Sequence, residues 1–137
     1  MPERLPYFVS KYFTIKCNQA TIMKETGLEH LLALDGMNMN YEGEYWVKID
    51  VSLVEKTKDR PHGIKYSLSL HNGKNQRIMG FDNAHAVQVS RGFKGKKYAY
   101  DHQHCSIDDK GVEYKFASPG QLLADFWDEV DKVLAAQ

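Results

Sequence analysis

Two neighbouring segments of the chain alternate apolar and polar residues, and this pattern limits the fold more than any other feature. They are "EYWVKIDVSLVE" (residues 44–55) and "IKYSLSLHN" (residues 64–72). A period of two puts alternate side chains on opposite faces of a strand, whereas a helix needs a period near 3.6. Two half-buried β-strands are therefore predicted. Their apolar faces comprise Tyr45, Val47, Ile49, Val51 and Leu53 in the first strand, and Ile64, Tyr66, Leu68 and Leu70 in the second.

Further strands are predicted in the second half of the chain. "NGKNQ" (residues 72–76) is a turn signal centred on Asn72-Gly73, and "RIMGFDN" (residues 77–83) fits the strand of a hairpin that returns after it. "KKYAYDHQH" (residues 96–104) and "VEYKF" (residues 112–116) are two more extended segments. This order of strands and turns predicts an antiparallel sheet.

The last residues predict a helix. Ser118 suits the N-cap, Pro119 suits the first helical position, and the Gln121 side chain can complete a capping box. Apolar residues then recur at helical spacing: Leu122, Leu123, Phe126, Val130, Val133 and Leu134. We expect this stripe to cover the apolar face of the sheet.

These elements predict an α+β fold in a single domain, residues 1–137, whose apolar fraction of 42% is enough for one core. The sheet is expected to be a twisted antiparallel β-sheet of about four to six strands, with the C-terminal helix packed on one face. Short N-terminal helical structure is expected in "TIMKETGLEHLLALDG" (residues 21–36). The segment "YFVSKYFTIKCN" (residues 7–18) fits neither class.

Composition argues against several classes of protein. No apolar run approaches the roughly 20 residues of a membrane-spanning helix, and the N-terminus is not built like a secretory signal. We therefore expect no membrane association and a cytoplasmic location. Cys17 and Cys105 are too few and too far apart to support a disulfide framework or a cysteine zinc site. Neither a metal nor a cofactor is predicted.

A net charge of zero conceals a basic central segment. Residues 56–97 hold ten Lys or Arg against two Asp, a net charge of +8, and both flanks are acidic. Such charges, gathered on one surface, attract nucleic acid, although solvated strand edges and loops are an equal alternative. An aromatic ring in a mobile basic loop can also stack on a base. The candidate nucleic-acid-binding residues are Arg91, Phe93, Lys94, Lys96 and Lys97 in "SRGFKGKK", with Lys65 and Asn83.

Paired histidines mark a candidate catalytic site. If "KKYAYDHQH" is extended, His102 and His104 lie on one face, together with Tyr98 and Tyr100. Two such imidazoles can divide the roles of acid and base, or bind a metal with a third ligand from the "DNAH" segment. The alternative is a half-exposed strand without chemistry, and a one-residue slip in register would turn both histidines toward the helix-covered face.

The order of these motifs resembles the TumE-type toxin family of bacterial toxin–antitoxin modules. "RIMGFDNAH", "YDHQH" and "VEYKFASPGQLLADFWDEV" follow one another over residues 77–130. In that family an Arg-x-Asp-Asn-Ala-type segment precedes a histidine-rich segment and a Leu-x-x-Asp-Phe-Trp-like helix. The resemblance implies a small cytoplasmic, growth-inhibitory protein whose partner is a helix-turn-helix antitoxin.

The first hypothesis for function is a metal-independent endoribonuclease acting on RNA. Its catalytic residues would be His102, His104, His85, Asp82 and Arg77. His102 and His104 would be acid and base, with His85 as substitute. Asp82 would orient an imidazole, and Arg77 and Lys97 would stabilise negative charge.

Two alternatives stay open from the sequence. One is a non-catalytic module that binds nucleic acid or protein through residues 56–97. The other is a metal-dependent nuclease or phosphatase with His85, His102 and His104 as ligands; Asp82 is the other nearby candidate for a third ligand. The oligomeric state, monomer or homodimer, is equally open.

Overall fold

A computed structural model describes residues 20–92 and 95–137 of the chain. The elements of these ranges are α1 Ala20–Ala33, β1 Met37–Glu42, β2 Tyr45–Leu53, β3 Ile64–His71, β4 Arg77–Asp82, β5 Val87–Gly92, β6 Gly95–Ala99, β7 His102–His104, β8 Val112–Glu113 and α2 Pro119–Ala135. The segment "YFVSKYFTIKCN" lies outside the described residues. Within the described ranges, neither helix combines the length and the apolar character needed to cross a membrane.

Six strands form one antiparallel sheet in the order β1-β2-β3-β4-β7-β8. β5 and β6 form a separate hairpin, which is inserted in the chain between β4 and β7. Buried residues of both helices, among them Leu31 of α1 and Phe126 of α2, share one core with the apolar face of the sheet. The predicted α+β fold, with an antiparallel sheet and a C-terminal helix on one face, is confirmed.

The alternation in β2 and β3 places the predicted apolar residues in the core, with Leu53 as the clear exception. Val47, Ile49 and Val51 of β2 are buried, and so are all four apolar positions of β3. Leu53 is 64% exposed. Its prediction as a core residue is wrong: Leu53 is the last residue of β2, and of the pair that it forms with Ile64 only Ile64 is buried.

The turn after β3 occupies residues 72–76, the stretch "NGKNQ" in which the sequence predicts it. The Asn72 N–H donates to the Gln76 carbonyl at 3.0 Å, so the loop closes over residues 72–76. The Asn72 side-chain oxygen accepts hydrogen bonds from the Lys74 and Gln76 N–H groups at 2.9 and 3.0 Å. An asparagine side chain that accepts hydrogen bonds from the following backbone in this way stabilises the five-residue loop.

Helix α2 begins where the sequence predicts it. Ser118 Oγ accepts a hydrogen bond from the Gln121 N–H at 3.2 Å, and the Gln121 side chain accepts one from the Ala117 N–H at 2.7 Å. Trp127 is buried beside the predicted stripe and stacks on Tyr41, with ring centroids 5.3 Å apart.

Helix α1 has 14 residues and is longer than the short turns predicted. Its packing against α2 explains the difference, because tertiary contacts extend helices beyond their local propensity.

The segment "KKYAYDHQH" is not one strand, as predicted, but two. β6 pairs with β5, whereas β7 pairs with β4 and β8, and a bend at Tyr100 and Asp101 separates them. The Asp101 carboxylate accepts a hydrogen bond from the Tyr66 hydroxyl at 2.7 Å, and its carbonyl accepts one from the Tyr114 N–H at 3.1 Å. These long-range bonds hold the bend, so β6 does not continue into the strand that holds the histidines.

The exposed and buried leucines of this sheet give a stability test. Leu68→Ala removes a fully buried side chain and should lower the free energy of unfolding by about 2–5 kcal/mol. Leu53→Ala is the matched control and should change it by less than about 0.5 kcal/mol. Urea denaturation measures both. Equal losses in the two variants would contradict the placement of the core.

Candidate functional site

The register of the sheet brings one carboxylate and two imidazoles together on the face opposite the helices. Asp82 of β4 pairs with His102 of β7, and Gly80 pairs with His104. Phe81, between Asp82 and Gly80, is buried in the core. Because successive side chains point to opposite faces, Asp82 and its two histidine neighbours lie on the other face. The histidines therefore do not point toward the helices.

Asp82, His102 and His104, here called the Asp–His cluster, are in direct contact. His102 Nε2 lies 3.2 Å from Asp82 Oδ1, and His104 Nε2 lies 3.7 Å from Asp82 Oδ2. The two imidazole centroids are 4.7 Å apart, edge to face. His102 is only 3% exposed. Electrostatic interactions within the cluster are therefore stronger than they would be in water.

The second ring nitrogen of each histidine faces a backbone carbonyl. His102 Nδ1 lies 2.7 Å from the Tyr100 carbonyl oxygen, and His104 Nδ1 lies 2.8 Å from that of Asp109. A carbonyl only accepts hydrogen bonds, so each Nδ1 is assigned a proton and donates it. Each Nε2 is thereby turned toward Asp82 and is the nitrogen left for chemistry.

Arg77 adds a positive charge to the cluster. Its Nη1 lies 3.7 Å from Asp82 Oδ2, and its side chain is 36% exposed, more than any member of the cluster. Gly80 lies beneath it, since a Cβ at Gly80 would be 3.2 Å from Arg77 Cδ. The missing side chain at Gly80 allows the arginine to lie across the strand and reach the carboxylate.

Gly111 closes the other side of the cluster. A Cβ at this position would lie 2.8 Å from His102 Cδ2 and 3.3 Å from His104 Cε1. Its φ of +108° is also a conformation that residues with a side chain rarely adopt. Both the close approach and the backbone conformation require glycine here.

Asp82 and His102 stabilise each other's charged form. Burial by itself would raise the pKa of Asp82, but the hydrogen bond and the charge of His102 outweigh burial and hold this pKa below its ordinary value. Burial would likewise lower the pKa of His102, but the hydrogen bonds to Asp82 and to the Tyr100 carbonyl raise it above the ordinary value. At pH 6.5 the pair is therefore a carboxylate and a mostly protonated imidazole.

His104 has the opposite displacement. Burial is the largest effect and lowers its pKa, the Asp109 carbonyl partly opposes burial, and the positive charge of Arg77 lowers the pKa further. Its Nε2 is too far from Asp82, at 3.7 Å, for the hydrogen bond that His102 makes. His104 is therefore neutral at neutral pH, with the lone pair on Nε2.

The Asp–His cluster also has the donor set of a metal site. Its three potential ligand atoms lie within 4.8 Å of one another. Histidines that bind metals usually donate the other ring N–H to a carbonyl or carboxylate, as both histidines do here. A divalent ion such as Zn²⁺ takes imidazole nitrogen and carboxylate oxygen as ligands. The residues therefore fit such an ion as well as they fit acid–base chemistry.

Other residues predicted to act at the site lie elsewhere. His85 is exposed and does not belong to the cluster. Asn83 is 1% exposed, and its amide bonds the Tyr66 N–H and the Ile64 carbonyl of β3, each at 2.9 Å. Asn83 thus links β3 to the end of β4 and is not free for a phosphate. Lys65 is exposed on β3.

The predicted basic loop corresponds to the β5–β6 hairpin. Arg91 pairs across the hairpin with Lys96, and Ser90 with Lys97. Phe93 and Lys94 lie outside the described residues. The hairpin belongs to a sheet other than that of the Asp–His cluster.

The groups that orient the two imidazoles of the cluster and leave space for them are not evident from the sequence. The carbonyls of Tyr100 and Asp109 orient the imidazoles, and the glycines at 80 and 111 make the room. Backbone carbonyls carry no signal in a sequence. A glycine in "DDKG" indicates an ordinary turn. The Asp109 carboxylate accepts hydrogen bonds from the Cys105 and Gly111 N–H groups, which is typical of such a turn.

The fold and the site together define a class: an α+β protein whose antiparallel sheet carries a buried Asp–His–His cluster beside an arginine. The family model described as Toxin TumE matches residues 40–134, which include the whole six-stranded sheet except the start of β1, the cluster and nearly all of α2. The chain belongs to the TumE toxin family. No curated protein sequence and no solved structure matches it.

The Asp82–His102 pair predicts how stability depends on pH. His102, with a pKa raised above 6.5, contributes stability that is complete below pH 6.5 and is lost as pH rises through its folded pKa. Asp82, with a pKa lowered from 3.8, contributes stability that is complete above pH 3.8 and is lost as pH falls through its folded pKa. Asp82→Asn should therefore destabilise by roughly 1–3 kcal/mol between these two pH values and by less outside them.

NMR titration of the imidazoles checks the cause directly. In the unmodified protein the pKa of His102 should lie above 6.5 and that of His104 below it. In Asp82→Asn the pKa of His102 should fall, because burial is then unopposed by the carboxylate. An unchanged pKa of His102 in this variant would contradict the assignment.

Gly111 offers a test of the packing around the imidazoles. Gly111→Ala and Gly95→Ala both place alanine at a positive φ, +108° and +106°, and both should lose roughly 1–3 kcal/mol of stability. Of these two positions, only Gly111 would bring an added Cβ within 4 Å of the histidines, since Gly95 has open space there. Gly111→Ala should therefore lose more stability and shift the imidazole signals, whereas Gly95→Ala leaves those signals unchanged.

Proposed function

We propose that this TumE-family toxin cleaves RNA without a metal ion, by histidine acid–base chemistry. The observation that carries the proposal is the geometry of the histidine pair: His102 Nε2 lies 3.2 Å from Asp82, whereas His104 Nε2 lies 3.7 Å from it. This difference accompanies a raised pKa for His102 and a lowered pKa for His104. Surroundings that separate two pKa values in this way fit one group for the role of acid and the other for the role of base at the same pH.

The proposed reaction uses both Nε2 atoms. The 2′-hydroxyl oxygen of a ribose bonds to the adjacent phosphorus, and the bond from phosphorus to the 5′ oxygen breaks. His104 Nε2, which is neutral, takes the proton of the 2′-hydroxyl group. His102, which is cationic, gives a proton to the departing 5′ oxygen. Asp82 favours the protonated form of His102, and the Tyr100 and Asp109 carbonyls orient the two rings.

Arg77 is the group that would bind the substrate phosphate beside the cluster. The two imidazoles are nearly buried, whereas the guanidinium is partly exposed and only 3.7 Å from Asp82 Oδ2. A phosphate is a strong partner for a guanidinium, because two parallel hydrogen bonds can form between them. Pairing with a phosphate would draw Arg77 away from Asp82, stabilise the developing negative charge and leave His104 Nε2 accessible.

The β5–β6 hairpin supports an RNA substrate. Arg91 and Lys96 are directly opposite each other in its register. The hairpin contains the basic residues Arg91, Lys96 and Lys97, and a nucleic-acid backbone is an anionic partner for such a segment. Lys65 adds a further exposed positive charge on β3.

Cleavage of RNA in excess EDTA by the purified protein tests the proposal. His102→Ala and His104→Ala should each lower the rate by about 10²–10⁴-fold, the usual contribution of a general acid or base. His85→Ala should retain the rate, because His85 is exposed and outside the cluster. Circular dichroism verifies that each variant is folded. Intact RNA after incubation with folded, unmodified protein would exclude the proposal.

The pH dependence of cleavage separates the two roles. The rate should rise with pH through the pKa of His104, below 6.5, because the base must be neutral. It should fall through the pKa of His102, above 6.5, because the acid must be protonated. A bell-shaped profile with a plateau around pH 6.5 is expected. Asp82→Asn should move the upper limb to lower pH, and an upper limb that stays in place would contradict the role of His102.

A metal-dependent nuclease or phosphatase is a second candidate, favoured by the three ligand atoms within 4.8 Å. Its ligands would be Asp82, His102 and His104. The sequence left the third ligand open between Asp82 and His85, and this candidate takes Asp82. Elemental analysis of the purified protein distinguishes it from the first. Bound metal, together with activity that EDTA removes and one divalent ion restores, would favour this candidate.

A non-catalytic binding module is the third candidate, favoured by the basic residues of the β5–β6 hairpin. It predicts that Lys96→Glu and Lys97→Glu abolish binding to RNA, whereas His104→Ala does not affect binding. Binding without cleavage in the unmodified protein would favour it.

Membership of a toxin family suggests an antitoxin partner. We propose that this partner is a helix-turn-helix protein encoded beside the toxin and that both act in the cytoplasm. Co-purification of the two proteins after joint expression tests the pairing.

A further inference from the structure

A cavity of about 320 Å³ lies at the edge of the sheet, outside the Asp–His cluster. It is bounded by the loop before β3, by the end of β6 and the bend that follows it, and by the end of β8 and the chain after it. Its volume is at the lower end of the range for small-molecule sites, about 300–1,000 Å³, and suits one planar ring system better than a duplex. Its aromatic lining comprises His62, Tyr98, Tyr100, Tyr114 and Phe116.

The rings that line this edge cavity include surfaces free to receive another ring. Tyr98 is 57% exposed. The Arg60 guanidinium lies 5.1 Å from the centre of the Tyr100 ring. His62 stacks on Phe116 with centroids 4.3 Å apart, and its Nε2 bonds the Phe116 carbonyl at 3.1 Å, so its orientation is fixed. Aromatic rings on a rigid support are the surfaces on which unpaired nucleobases stack.

The polar groups of the edge cavity are carboxylates and lysines. Asp101 uses one oxygen to accept the Tyr66 hydroxyl at 2.7 Å and has a second oxygen. Glu113 lies 3.7 Å from Lys115, and Lys58 also lines the cavity. Carboxylate oxygens accept hydrogen bonds from the amino and imino groups of a base, whereas lysines attract the phosphate beside it. The polar lining therefore complements both the base and the phosphate of a nucleotide.

The edge cavity is joined to the Asp–His cluster by a short piece of chain. The Tyr100 ring lines the cavity, and the Tyr100 carbonyl bonds His102 Nδ1 at 2.7 Å. Glu113 lines the cavity and pairs directly with His102 in the register of β7 and β8. A nucleotide held in the cavity would therefore lie next to the strand that carries both imidazoles.

We infer that the edge cavity is a nucleobase-binding subsite for single-stranded RNA, in which a base stacks on Tyr98 and bonds the Asp101 carboxylate through its N–H groups. Guanine is the expected preference, because it presents two neighbouring N–H donors on its Watson–Crick edge. The choice of ligand rests on the proposed function, since RNA is the substrate proposed for the Asp–His cluster.

Binding of a 2′-O-methyl oligonucleotide, which lacks the attacking hydroxyl, tests the subsite apart from catalysis. The probe is a short oligouridine with one guanine, followed by fluorescence anisotropy. Tyr98→Ala should weaken binding by about tenfold, the loss typical of one stacked base. Ile107→Ala, which removes another exposed apolar side chain outside the cavity, is the control and should bind as the unmodified protein does.

Two further measurements identify the mode of binding. Replacement of the guanine by 2-aminopurine should give fluorescence quenching with the unmodified protein and none with Tyr98→Ala. Asp101→Asn keeps an oxygen for the Tyr66 hydroxyl and should remove the preference for guanine over adenine, because the added amide N–H cannot accept a bond.

The outcomes separate this inference from the proposed function. Cleavage of RNA with equal binding by the unmodified protein and Tyr98→Ala would overturn the subsite and leave the ribonuclease standing. Tyr98-dependent binding without cleavage of ordinary RNA would support the subsite and remove the ribonuclease. No measurable binding of the oligonucleotide by folded protein would overturn the subsite.

Discussion

The burial of Phe81 is the constraint on which the site depends. Phe81 packs against Tyr114 and Phe126 in the core, and its place in β4 decides which neighbours face outward. A slip of one residue would take this ring out of the core and would put Asp82 into it. The burial of a large aromatic side chain thus fixes the position of a carboxylate on the opposite face, where β7 supplies His102 directly across from it.

Two histidines of the same strand acquire different chemistry from small differences in distance. His102 approaches Asp82 to 3.2 Å and makes a hydrogen bond with it, whereas His104 stays 3.7 Å away, so burial and the charge of Arg77 outweigh its attraction to Asp82. Both have the same anchor, a carbonyl at Nδ1. The opposite displacements of the two pKa values therefore come from the partner of Nε2. This division is the basis of the acid and base roles proposed for the two histidines.

Much of the fold could be predicted from the sequence, because local rules agree with the tertiary structure there. The alternation in β2 and β3 requires a sheet with one buried face, and the Ser118 cap and the stripe after it require α2. The break between β6 and β7 could not be predicted, because it depends on Asp101 meeting Tyr66 and Tyr114, which are distant in sequence. The length of α1 depends in the same way on packing against α2.

The sequence by itself determined the residue types of the candidate site and the strands that carry them. The His-x-His pair was visible because residues two apart lie on one face of an extended strand, and Asp82 was visible because it stands where the predicted strand ends. Only the tertiary structure decided that Asp82 belongs with these histidines and that His85 does not. Alternation within a strand is visible in the sequence, but pairing between strands depends on contacts between distant parts of the chain. The carbonyls and glycines around the imidazoles act through the geometry of the backbone, which the identities of the side chains do not reveal.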